Sequence, residues 1–230
     1  VAARTAEANP GPRVGSAVDW IPDSIGWESH VAAYRAYWGQ IDFFGKSVRR
    51  LILTDAATVP DLQVESEWGM DALIVRDTSG LGGVTLYVNE QPFAVRSPDG
   101  NGVVTFERSL VEQDDNHAVV EMKASNVGPI GDIYTVRLRF SIEAGHRESA
   151  VEVLVEGPEN NDMLELGIGL TRLTHQEYLL DPQAGIMAVW GTQLAAIGRV
   201  GMGAVFPPER FVREGDVPGE NHAVIKIERG

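Results

Sequence analysis

The chain has 230 residues, of which 43% are hydrophobic and 23% charged, and it contains no cysteine. That is the composition of an ordinary globular chain, and the missing thiols exclude disulfides, thiolate metal sites and cysteine nucleophiles. A net charge of -14 argues against nucleic acid and anionic membrane as partners; no apolar run approaches the roughly 18 residues of a membrane helix, and the N-terminus lacks the basic and apolar regions of a signal peptide.

Residues 1–16, rich in Ala, Gly, Pro and Arg, show no period and are expected to form a flexible N-terminal segment, leaving 17–230 as a single β-sandwich domain. The stretch from Ser29 to Trp38 reads as a strand, which would put His30, Ala32, Tyr34 and Ala36 on one face and Val31, Ala33, Arg35 and Tyr37 on the other. Trp27 and Glu28 then fall in the loop before it. Trp68, Met70 and Asp71 precede the turn Thr78-Ser79-Gly80-Leu81-Gly82-Gly83, which lacks the lysine of a phosphate loop and reads as a tight bend.

Strands are expected over Gly83 to Val88, Val103 to Leu110, His117 to Lys123, Met163 to Leu170, Ile186 to Trp190 and Ala223 to Ile227. The clearest is Tyr134 to Ile142, where apolar residues alternate with Thr135, Arg137, Arg139 and Ser141. A hairpin around Gly145-His146 would pair Phe140 with Val153, Leu138 with Val155 and Arg137 with Glu156. Many short strands without a helical stripe predict an all-β protein, an antiparallel sandwich or barrel.

The chemistry-bearing residues concentrate in Trp27-Glu28-Ser29-His30, Tyr34-Arg35-Ala36-Tyr37 and Trp68-Gly69-Met70-Asp71. An indole stacks on a sugar face, a carboxylate accepts from vicinal hydroxyls, a Tyr beside a His moves protons, and an Arg holds a carboxylate. A carbohydrate is therefore the leading ligand class. The plainer alternative packs Trp27 and Tyr37 in the core or at its rim and lets Arg35 neutralise Glu28 or Asp42; Trp38 and Trp190 at strand ends read as core or platform, core being favoured. His117, His146, His175 and His222 show no metal-ligand spacing, so no metal is assigned, and no motif implies a cofactor. Pairing of sheet edges into a homodimer is the expected self-association, with no edge identifiable from the sequence.

Pro22-Asp23-Ser24-Ile25-Gly26-Trp27-Glu28-Ser29, Ala33-Tyr34-Arg35-Ala36-Tyr37, Trp68-Gly69-Met70-Asp71-Ala72-Leu73, Gly80-Leu81-Gly82-Gly83 and Glu220-Asn221-His222 together resemble the bacterial domain-of-unknown-function family forty-eight sixty-one. The resemblance implies a galactose mutarotase-like supersandwich, export to the periplasm or beyond, and a part in polysaccharide breakdown, with uronate-containing oligosaccharides as substrates. On that reading the chemistry is of lyase or dehydratase type: Tyr34 or His30 moves the proton, Arg35 holds the uronate carboxylate, and Trp27, Glu28, Trp68 and Asp71 bind the sugar. A hydrolase or mutarotase on the same scaffold, or a non-catalytic carbohydrate-binding module, is the alternative. The chain departs from the family pattern at His30-Val31, where an Asp-Arg pair is usual, and at Ile74, where lysine is frequent. It also ends soon after His222, short of the pattern's aromatic and glycine-rich segment, as a shortened member would.

Overall fold

The alternation over Tyr134 to Ile142 becomes a strand because a period of two gives one wholly apolar face to bury. Val136, Leu138, Phe140 and Ile142 are all buried, while Arg137, Arg139 and Ser141 face outward, the two arginines in ion pairs. The computed structural model describes residues 13–96, 103–158, 163–193 and 198–227. In these the chain is nearly all β, with one short α-helix, α1 (Leu53–Ala56), and one turn of 3-10 helix at Pro208–Arg210.

The strands in chain order are β1 (Val14–Val18), β2 (Ser24–Ser29), β3 (Ala33–Tyr37), β4 (Gln40–Lys46), β5 (Gly69–Asp71), β6 (Leu81–Val88), β7 (Gln91–Ala94), β8 (Thr105–Gln113) and β9 (His117–Val127). They continue as β10 (Tyr134–Glu143), β11 (Ser149–Glu156), β12 (Leu164–Thr171), β13 (Thr174–Asp181), β14 (Ile186–Thr192), β15 (Arg199–Val205), β16 (Phe211–Glu214) and β17 (Glu220–Lys226). Three sheets are meanders of consecutive strands, β1 to β5, β8 to β11 and β13 to β15. The fourth, in the order β16-β17-β12-β6-β7, is assembled from distant parts of the chain. Every paired strand runs antiparallel.

Three expectations are corrected. The segment 1–16 ends inside β1, since Val14 is already in the ladder opposite Ser29; residues 1–12 lie outside the described residues. The expected strand from Ser29 to Trp38 is broken by a turn: Ser29 N donates to Ala32 O, and Ser29 Oγ accepts from Val31 N and Ala32 N. A short polar side chain that satisfies the backbone locally competes with the extended ladder. The β10–β11 hairpin pairs Phe140 with Val151 and Leu138 with Val153, two residues from the expected register. A slip of two leaves every side chain on its expected face, so the alternation could not detect it. The Arg137–Glu156 contact survives as a diagonal ion pair at 3.2 Å.

One core cluster runs through all four sheets, and a smaller one, Ala33, Phe44, Ile52, Ala56 and Trp68, sits beneath α1. The Phe140 ring stacks on Trp27 with centroids 4.3 Å apart, tying β10 to β2. Replacing Phe140 by Ala is expected to cost about 3–5 kcal/mol, measurable as a lowered midpoint in urea unfolding; a loss below about 1 kcal/mol would show that the stack does not hold the two sheets together.

Candidate functional site

The early motifs fold into the β2–β3–β4 ladder, and most of their polar groups are consumed there. Arg35 pairs with Asp42 and, at 3.2 Å, with Asp71, and its guanidinium lies over the rings of Tyr37 and Phe44. Both carboxylates are buried. Burial pushes their pKa upward, Asp42 furthest because the Asp71 charge adds to the effect, while Arg35 pulls the other way. Glu28 is equally committed: its carboxylate accepts from Ile52 N and Leu53 N and from Lys46 Nζ at 2.7 Å. The plainer reading of Arg35 thus describes its contact with Asp42, while Glu28 is neutralised by Lys46.

Trp27 is buried between the Phe140 and Tyr34 rings, and its Nε1 donates to Ser149 Oγ at 2.9 Å. The Tyr34 hydroxyl donates to Arg147 O, and burial, aided by Glu148, pushes its pKa up to about 12. It therefore keeps its proton at neutral pH. His30 sits in the Ser29–Ala32 turn with its ring beside Gly145. The structure thus brings His30 and Tyr34 to one turn, residues 145–148, and Arg35 to Asp71. Trp68 lies apart, buried edge-on against Phe44 under α1.

A second constellation, which the sequence marks only through Glu220-Asn221-His222, occupies the polar face of the β6–β12–β17 ladder. In β17, Glu220, His222 and Val224 alternate with Asn221, Ala223 and Ile225. In the neighbouring β12, Gly167 and Gly169 alternate with Leu166, Ile168 and Leu170. The glycines make room: a Cβ at Gly167 would fall 1.9 Å from His222 Cε1, and one at Gly169 would fall 2.1 Å from Glu220 Oε2. The 215–219 turn closes over the pair, with Gly215 N donating to His222 O at 2.8 Å.

These side chains form a continuous polar row. Arg213 pairs with Glu165 at 2.6 Å and lies over the Tyr87 ring; the Tyr87 hydroxyl is 3.3 Å from His222 Nδ1, and His222 Nε2 is 3.8 Å from Glu220 Oε2. Glu220 Oε1 accepts from Ser79 N at 2.7 Å and Ser79 Oγ at 3.1 Å, with Arg96 Nη1 at 3.5 Å. Glu220 Oε2 and His222 Nε2 face each other fully buried and without a hydrogen-bond partner. Burial raises the Glu220 pKa and lowers that of His222 to about 4, the latter helped by the Arg96 charge. Burial thereby biases both adjacent groups toward their neutral forms.

Near this row stands the β3–β4 turn, where Gly39 packs on the backbone of Val95 and Arg96. Trp38, beside it, is 38% exposed, and Trp190 is 46% exposed, so neither is the core residue expected. Hairpin tips and outward strand positions override the preference of indoles for the interior. Among the described residues no group of three or more His, Cys, Asp or Glu side chains is placed to hold a metal ion, and no helix is long and apolar enough to cross a membrane.

Arg35→Met leaves Asp42 and Asp71 uncompensated and is expected to cost about 3–5 kcal/mol at neutral pH. With both carboxyls raised, the folded variant binds more protons than the unfolded chain above the ordinary carboxylate range, so its stability falls as pH rises through that window. Unfolding titrations from pH about 4 to 8 that show a deficit independent of pH would refute the assignment.

No curated protein and no solved structure matches the chain. The family described as Domain of unknown function (DUF4861) matches residues 4–229. With nearly its whole length covered, and with the early ladder and the late Glu220-Asn221-His222 segment both inside the match, the chain belongs to that family.

Proposed function

We propose that this protein acts on a uronate-containing oligosaccharide by elimination, of lyase or dehydratase type, with Glu220 and His222 as its acid and base. The carrying observation is the buried, unpartnered approach of Glu220 Oε2 to His222 Nε2 together with their opposite pKa shifts. With His222 Nδ1–H donating to the Tyr87 oxygen, Nε2 keeps its lone pair and faces Glu220 Oε2, of a carboxyl that burial favours in its protonated form. His222 then removes the proton beside the uronate carboxylate, a carbon–carbon double bond forms as the bond to the leaving oxygen breaks, and Glu220 protonates that oxygen. Arg96 offsets the enolate-like charge. Substrate reaches the pair by displacing the Arg96 side chain, which is 14% exposed where Glu220 is wholly covered, and the exposed Trp38 beside it offers a face for a sugar ring.

The family resemblance supplies the substrate class, the galactose mutarotase-like supersandwich and export as parts of the same reading. The full burial of Glu220 and His222 favours a second reading, a saccharide-binding module in which Trp38 stacks on the ligand and the pair is structural. Incubation with saturated and unsaturated uronate oligosaccharides, followed by mass spectrometry and absorbance of the unsaturated ring, separates the two. Turnover should fall about 10²–10⁴-fold in Glu220→Gln and in His222→Asn. It should follow a bell in pH whose acid limb lies near about 4, where His222 loses its proton, and whose alkaline limb, from Glu220, disappears in Glu220→Gln. Saccharide-induced stabilisation without any product would support the binding module instead.

A further inference from the structure

We infer that this protein forms a two-fold dimer by pairing β11 with β11 of a second copy. Among the described residues the eight sheet edges are β1, β5, β7, β8, β11, β13, β15 and β16. Native edges are guarded by shortness, bulges, proline, glycine or unpaired charged side chains. Strands β1, β5, β7 and β16 have five residues or fewer, and β7 contains Pro92. β8 is irregular between Leu110 and Glu112 and β13 between Thr174 and Glu177, while β15 carries Gly201 and Gly203. Among the described residues, β11 alone is long and free of bulge, proline and glycine: eight residues, Ser-Ala-Val-Glu-Val-Leu-Val-Glu, in unbroken register with β10, and its two glutamates are already paired with Arg139 and Arg137. Val151 is 42% and Leu154 48% exposed.

Charge and side-chain pattern select a second copy and its register. Val151, Val153 and Val155 occupy one face of β11, and Ala150, Glu152, Leu154 and Glu156 the other. An antiparallel pairing centred on Val153 sets Val151 against Val155 of the second copy, Glu152 against Leu154 and Ala150 against Glu156. No carboxylate then opposes another, and the valine row continues unbroken. Centring on Glu152 would oppose that residue to itself, and centring on Leu154 would set Glu152 against Glu156, both unfavourable. Centring between residues would place valines opposite glutamates. Arg139 and Arg137 already neutralise Glu152 and Glu156 from β10, at 3.5 and 3.2 Å. The apolar groove of about 740 Å³ alongside β11, walled by Val153, Leu166, Ile168, Phe206 and Ile225, receives the second valine row.

Sedimentation equilibrium of the full chain tests this through one residue with two opposite substitutions. Leu154→Glu faces Glu152 of the second copy twice by symmetry and should weaken the dimer roughly tenfold or more, whereas Leu154→Lys should tighten it. Dimerisation of the unaltered chain should strengthen with added salt, since each copy carries -14. Far-ultraviolet circular dichroism checks that both variants fold. A monomer at every concentration and salt level, or two substitutions that move the equilibrium in the same direction, would overturn the proposal.

Discussion

The absence of side chains at Gly167 and Gly169 governs the polar face of the β16-β17-β12-β6-β7 sheet. Strand β12 lies between β6 and β17, and only its glycines allow Glu220 and His222 to lie across it rather than stand into solvent. Everything else in the row follows from that close approach: Tyr87 reaches the imidazole, Ser79 reaches the carboxylate, and the 215–219 turn can fold down over both. A β-carbon at either position would force the pair apart.

The molecule buries charge in three ways. Glu28 is treated as an anion, surrounded by Lys46 and two backbone amides. Asp42 and Asp71 share one guanidinium, which leaves the site short of positive charge and their acidity weakened. Glu220 and His222 have donors on one side only, and the atoms that face each other have none. Arg35 Nε and His30 Nδ1 are also buried without a partner, but only in the third arrangement do an unpartnered carboxylate oxygen and an unpartnered imidazole nitrogen face each other, which is why it carries the chemistry proposed.

The all-β class was legible because alternation is a local signal: Tyr134 to Ile142, Gly83 to Val88 and Met163 to Leu170 could be read without knowing their neighbours. Register was not, because a two-residue slip preserves faces, as in the β10–β11 pairing. The residues of the polar row were each visible, yet Gly167-x-Gly169 gains meaning only opposite Glu220-x-His222, across more than fifty positions of chain. The early motifs drew attention by their density of aromatic and charged residues. Density alone does not distinguish a ligand site from a ladder that neutralises its own charges, as Arg35 does with Asp42 and Asp71.

The mixed origin of the sheets bears on how the protein reaches this state. Three sheets are meanders whose contacts are local, while the β16-β17-β12-β6-β7 sheet must bring together strands from residue 81 to residue 226. Local pairings close quickly and long loops slowly, so the meanders form first and β17 docks late. The approach of Glu220 to His222 across β12 therefore comes into being at the end of folding, and a chain that has lost only the docking of β17 would keep most of its sheet structure while lacking that approach altogether.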